Sequence, residues 1–222
     1  MDPVITPIIA VGTYKFVKWA IKEFSTATPP VRAPYSPSAG EKAGFTKPLE
    51  KTITVVGRTS VGKSSLCNAL LGRSMFEVGI GHGTTQIVSQ ADFYAGWKLK
   101  DTPGLLDDPA YWKTVMKASC RSKIVTYVTS GQLYREEVEF LEALHASPPK
   151  NRAILVLLNM NDLKIRTMPK AVRHQEMEAL TKQVSFIPRP QFCLGSAAPV
   201  DGSDPDLDEF NSLLTGAMTF HS

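Results

Sequence analysis

From Thr52 onward, short apolar runs alternate with longer stretches in which apolar residues recur every three or four positions. The short runs predict strands at Thr52–Gly57, Ile87–Tyr94, Trp97–Asp101, Lys123–Thr129, Ala153–Asn159 and Gln191–Gly195. The longer stretches predict helices at Lys63–Leu71, Pro109–Ser119, Arg135–His145, Pro169–Val184 and Pro205–Thr219. Strands that alternate with helices imply βαβ units, and so an α/β fold on a mostly parallel sheet. One step breaks the rule. Only Ala95 and Gly96 separate the second and third runs, which predicts an antiparallel hairpin there.

The first fifty residues read differently. Residues 1–24 predict an amphipathic helix: Lys15, Lys18, Lys22 and Glu23 share one side, with Phe16, Val17, Ala20, Ile21 and Phe24 on the other. The uncharged run Val4–Tyr14 is too short to span a bilayer, and the stretch lacks the charges and cleavage site of a signal peptide. Three destinations fit the apolar side: this chain's own domain, a protein partner or second copy, and a membrane surface, which Trp19 and the lysines suit. Residues 25–50 carry Pro29, Pro30, Pro34, Pro37 and Pro48 among small residues, a linker composition. Residues 51–222 remain as the folded domain.

Composition narrows the class. With 222 residues, 43% apolar and 21% charged, the chain can bury a core. A net charge of +4 does not decide for or against nucleic acid. Cys67, Cys120 and Cys193 are widely spaced and odd in number, which points to thiols in a reducing, cytoplasmic setting and to no zinc site.

The chemistry starts at Gly57-Arg58-Thr59-Ser60-Val61-Gly62-Lys63-Ser64, between a predicted strand and a predicted helix. The glycines permit a turn whose backbone N–H groups face inward, and the helix that follows, opening at Lys63, Ser64 and Ser65, turns its positive dipole end to the same point. Lys63 would reach the β- and γ-phosphates of a nucleotide, and Ser64 would give Mg²⁺ a hydroxyl. Asp101-Thr102-Pro103-Gly104 ends a later strand: Asp101 would hold Mg²⁺ through water and the Gly104 N–H would meet the γ-phosphate. Between them, the Gly-rich stretch Val78–Gln86 offers Thr84 and Thr85, either of which could close on Mg²⁺ when a γ-phosphate is present. His82 reads as a solvated loop residue. After the strand at Ile154–Leu158 come Asn159, Met160 and Asp162. The Asp162 carboxylate can accept the N1–H and N2–H₂ of guanine, a donor pair that adenine lacks. Ser196 and Ala197 follow the last strand, where a backbone N–H could meet the guanine O6.

In this order the five motifs resemble those of the translation-factor-related P-loop GTPases, over Thr52 to about Thr219. The Gly62–Gly72 stretch, Gly83-Thr84-Thr85 and Asp101–Leu105 look most like the Era/TrmE-type branch. The resemblance implies a three-layer Ras-like G domain, with a six-stranded sheet, one antiparallel strand and about five flanking helices. It also implies Mg²⁺-dependent GTP hydrolysis to GDP, and it favours Thr85 over Thr84 as the switch residue. Lys63, Thr85 and Gly104 are then the expected catalytic groups, and Ser64, Thr85 and Asp101 the metal ligands. A homodimer or a protein effector would engage the switch loops Gly79–Thr85 and Leu105–Tyr111 and the N-terminal helix. Three positions depart from the family pattern. Met160 stands where the family has Lys and brings no charge. Leu105 stands where Ras has its catalytic Gln and cannot orient water. Ser60 stands where potassium-stimulated members have Asn, so strong potassium activation is not expected. Met160 and Leu105 motivate a second reading, a nucleotide-controlled binding module with little hydrolysis. Asn159 and Asp162 argue against a third, a P-loop ATPase.

Overall fold

The computed structural model describes residues 49–78, 87–105, 107–148, 151–187 and 191–221. The expected N-terminal helix at 1–24, nearly all of the linker at 25–50, and Thr84 and Thr85 lie outside the described residues.

Six strands form one sheet: β1 (Glu50–Val56), β2 (Ser89–Asp92), β3 (Lys98–Asp101), β4 (Ser122–Thr129), β5 (Ala153–Leu158) and β6 (Gln191–Leu194). Their order across the sheet is β2-β3-β1-β4-β5-β6. Every neighbouring pair is parallel except β2 and β3, where Ser89 faces Asp101 and Asp92 faces Lys98. The helices are α1 (Lys63–Leu71), α2 (Pro109–Cys120), α3 (Arg135–Ala146), α4 (Asn161–Thr167), α5 (Lys170–Gln183) and α6 (Asp208–Phe220).

Successive side chains of a strand point to opposite faces, and the central strands send apolar residues both ways. Ile53, Val55, Ile124, Val128, Leu155 and Leu157 pack on one face with Leu66 and Cys67 of α1 and Phe210, Leu214 and Ala217 of α6. Val56, Val125, Tyr127, Ile154 and Val156 pack on the other with residues of α2, α3 and α5. This is the three-layer, Ras-like architecture that the motifs implied.

The described residues hold six helices rather than about five. The extra one, α4, follows Met160, which has φ 62°. Its sequence, Asn-Asp-Leu-Lys-Ile-Arg-Thr, lacks an apolar stripe, and Ile165 is 54% exposed, so periodicity could not announce it. The second strand is also shorter than Ile87–Tyr94, because a 3₁₀ turn over Tyr94–Gly96 takes its end.

Candidate functional site

In an open α/β sheet, the loops that follow the carboxyl ends of parallel strands gather along one edge. Here they are the loop after β1, the turn after β3, and the loops after β5 and β6.

The first begins at Gly57, immediately after β1. A Cβ on Gly57 would collide with the Val128 carbonyl oxygen of β4, and its φ of 155° suits glycine. Ser60 turns at φ 61° and Gly62 at φ 92°, so the chain doubles back before α1 starts. Gly62 caps α1, whose first turn holds no acidic residue to compete for an anion. The Lys63 amine donates to the Arg58 carbonyl at 2.7 Å, arching back over the loop. Burial pulls the Lys63 ammonium below the ordinary lysine range, while Asp101 and Asp107 resist that shift. Ser65 is half-buried in the first turn of α1.

The turn after β3 comes up beside this loop, because β3 pairs directly with β1. Ser64 donates to the Asp101 carboxylate at 2.6 Å, and Thr102 donates to the Val55 carbonyl at 2.8 Å. The Leu105 N–H donates to the Gly57 carbonyl at 3.1 Å, which ties the turn to the start of the loop. The Leu105 side chain is fully buried with Val56 and Trp112. Thr59 donates to Asp107, and together their side chains close over Gly104.

The loops after β5 and β6 meet the first loop through Asn159. Its amide donates to the Val61 carbonyl at 2.8 Å and its oxygen accepts from the Ala197 N–H at 2.9 Å. A Cβ on Gly62 would strike the Asn159 amide, so these two loops touch only because Gly62 has no side chain. Asp162 accepts from the Ser196 hydroxyl at 2.7 Å and from the Val200 N–H at 2.9 Å. Burial works against the charge on Asp162, but those donors outweigh it and hold its carboxyl below the ordinary aspartate range.

The structure therefore brings Gly57 to Ser65, Asp101, Gly104, Asn159, Met160, Asp162, Ser196 and Ala197 to one edge of the sheet. Sequence reasoning missed one cluster beside the loop. The Arg58 side chain pairs with Glu137 of α3 at 3.1 Å. Tyr127 donates to Glu137 at 2.5 Å, and the Arg58 guanidinium lies 4.3 Å over the Tyr134 ring. The one sequence signal for it was a charged pair, Glu136-Glu137, opening a helix with an otherwise apolar face.

Known proteins resemble this chain in sequence and in fold. A family model described as 50S ribosome-binding GTPase matches residues 52–160. The tRNA modification GTPase MnmE of Clostridioides difficile is 36% identical over 124 residues; the match takes in 51% of this chain but 26% of MnmE. An EngB-type GTP-binding protein of Lactiplantibacillus plantarum is 26% identical over 186 residues, 78% of this chain and 89% of EngB. Among solved structures, Era in complex with MgGDPNP and 16S ribosomal RNA nucleotides has a TM-score of 0.54 at 17% identity, covering 76% of this chain and 56% of Era. A crystal structure of an EngB has a TM-score of 0.52 at 18% identity, covering 76% of this chain and 99% of that one. Over residues 52–160 the chain therefore matches a GTPase family model, and its domain is similar in sequence to those of MnmE and EngB and in fold to that of Era.

Proposed function

We propose that this chain binds GTP and GDP with Mg²⁺ and hydrolyses GTP slowly to GDP and phosphate, as a molecular switch of the cytoplasm. The observation that carries this reading is the convergence of an anion-binding loop, a Ser–Asp oxygen pair and a guanine-type carboxylate on one sheet edge. The donor set suits Mg²⁺. Ser64 and Asp101 present hard oxygens 2.6 Å apart, and this ion takes few protein ligands beside water and phosphate. Bound there with Thr85 as a further ligand, Mg²⁺ would neutralise charge on the β- and γ-phosphate oxygens.

The protein's own groups do the rest. The backbone from Gly57 to Ser65 cradles the phosphates, and Lys63 stabilises charge that builds between the β- and γ-phosphates as water attacks. Gly104 approaches the γ-phosphate through its N–H. Asn159 braces the loop, Met160 covers the base, Asp162 accepts from guanine, and Ser196 and Ala197 close the base site. The free, buried cysteines Cys67, Cys120 and Cys193 suit a reducing compartment. Among the described residues no helix is long and apolar enough to cross a membrane. Residues 51–222 serve as the G domain, with 25–50 a linker and 1–24 an accessory segment for a partner or a membrane surface.

Titration calorimetry with GTP, GDP, ATP and ADP in Mg²⁺ should give heat of binding for the guanine pair alone. Equal affinity for ATP would end the guanine assignment. Multiple-turnover phosphate release tests the second half of the proposal. The buried Leu105 side chain cannot orient water, and this favours one other reading, a binding module with little hydrolysis. Binding without release, even with partners added, would select it.

A further inference from the structure

Arg58 lies inside the phosphate loop, yet its side chain serves a different site. Arg58 is 9% exposed and Glu137 is fully buried. A buried carboxylate is costly unless donors surround it; Glu137 has three partners, though burial still pushes its carboxyl above the usual glutamate range. The Arg58 guanidinium pairs with it at 3.1 Å from the loop after β1. The Tyr127 hydroxyl donates at 2.5 Å from β4, and the Tyr134 N–H donates at 2.8 Å from the segment that enters α3. The Tyr134 ring then covers the guanidinium at 4.3 Å, so the fork is held in its plane. Two elements, β4 and α3 with its N-cap, therefore fix one residue of the loop.

That residue has a second role. Its backbone carbonyl is the acceptor for Lys63, at 2.7 Å. The neighbouring Gly57 carbonyl accepts from Leu105, which follows the turn after β3. A loop rich in glycine has many conformations, and each nucleotide must select the one that points its N–H groups inward. A side chain anchored in the domain reduces that choice before any ligand arrives.

We propose that Glu137 is a positioning residue for the nucleotide site: through Arg58 it holds the phosphate loop and the Lys63 amine ready for the phosphates. This rests on the GTP/GDP reading above. Glu137 touches no nucleotide; it acts through the Arg58 peptide. Its removal loosens phosphate binding and leaves guanine selection, set by Asp162 in the first turn of α4, as it was.

The test is a binding cycle on the full chain. GDP and IDP affinities are measured with Mg²⁺ for the wild type, Glu137→Gln, Arg58→Met and the double variant, at a temperature where circular dichroism shows each folded. GDP binding by the wild type establishes the reading on which the proposal depends; no binding by the wild type would sink that reading and with it this proposal. Given binding, we expect each single variant to lose roughly tenfold or more in GDP affinity. The double variant should be no weaker than the weaker single, because both act through one contact. The GDP-to-IDP ratio should stay within about twofold of the wild type. Single variants that bind GDP like the wild type, additive losses in the double, or a collapsed ratio would each overturn the proposal. Should Glu137→Gln fail to fold, Tyr127→Phe removes one donor to Glu137 and keeps the ring; it should give a smaller loss of GDP affinity with the same unchanged ratio, and no loss would count against the clamp.

Discussion

Asn159 is 3% exposed and both ends of its amide are engaged, one by the Val61 carbonyl and the other by the Ala197 N–H. Replacing it with Ala leaves a buried carbonyl and a buried N–H unmatched, which costs about 1–3 kcal/mol. Urea unfolding of the nucleotide-free chain should show that loss, because the bonds exist without a ligand. Asp162 differs, for its carboxyl is held low by donors from Ser196 and Val200 that overcome the burial cost. Its contribution to stability is present above the unfolded aspartate value of about 3.9 and is lost as pH falls through the lower folded value. Unfolding of the wild type and of Asp162→Asn, compared from pH 7 down to pH 3, should therefore show a difference that is constant near neutrality and shrinks in acid. A difference that widens in acid would contradict the assignment of those donors. The same variant should move base preference from guanine toward xanthine, whose added carbonyl can accept from Asn. Both residues were legible as site candidates because each belongs to a local motif. The Arg58–Glu137 pair was not, since its partners lie on separate elements and only the packing of α3 against the loop brings them together.

At the scale of elements, the hairpin between β2 and β3 shows where pattern and conformation part. The two-residue spacing at Ala95-Gly96 announced the turn correctly, and Trp97 donates back to the Tyr94 carbonyl at 3.2 Å to close it. Ala95, however, sits at φ 56°, a left-handed conformation that costs a residue with a Cβ roughly 1–2 kcal/mol. Asn tolerates that conformation far better and precedes Gly in the preferred hairpin turns. Ala95→Asn should therefore stabilise the domain by about 0.5–1 kcal/mol, read as a higher urea midpoint with an unchanged slope. The β-branched and apolar content of β1, β4 and β5 made those strands readable, as they are buried on both faces. Helix α4 was unreadable for the opposite reason: Met160 at φ 62° starts it and Ser196 receives the Asp162 N–H at 2.9 Å, so loop contacts rather than an amphipathic stripe specify it.

For the molecule as a whole, the described groups assigned to the nucleotide lie at the carboxyl ends of β1, β3, β5 and β6 or in the loops and first helical turns that follow them, and the two cores lie on either face of the sheet. A ligand that joins the loops after β1, β3, β5 and β6 therefore bonds to the folded state alone, since unfolding separates every one of them. Linkage then requires that the nucleotide stabilise the entire domain. At a free concentration a hundred times its Kd, the gain is about 2.7 kcal/mol. For a domain of this size each kcal/mol moves the thermal midpoint by roughly 2–4 °C, so GDP with Mg²⁺ should raise it by about 5–10 °C. ATP should raise it far less, because the Asp162 carboxylate finds no donor pair on adenine. Chelation of Mg²⁺ should remove part of the GDP shift, which separates the Ser64–Asp101 contribution from that of the base site. A scan in which ATP and GDP shift the midpoint equally would place the affinity in the phosphate loop alone, and would leave Asn159, Asp162 and Ser196 as purely structural partners of that loop.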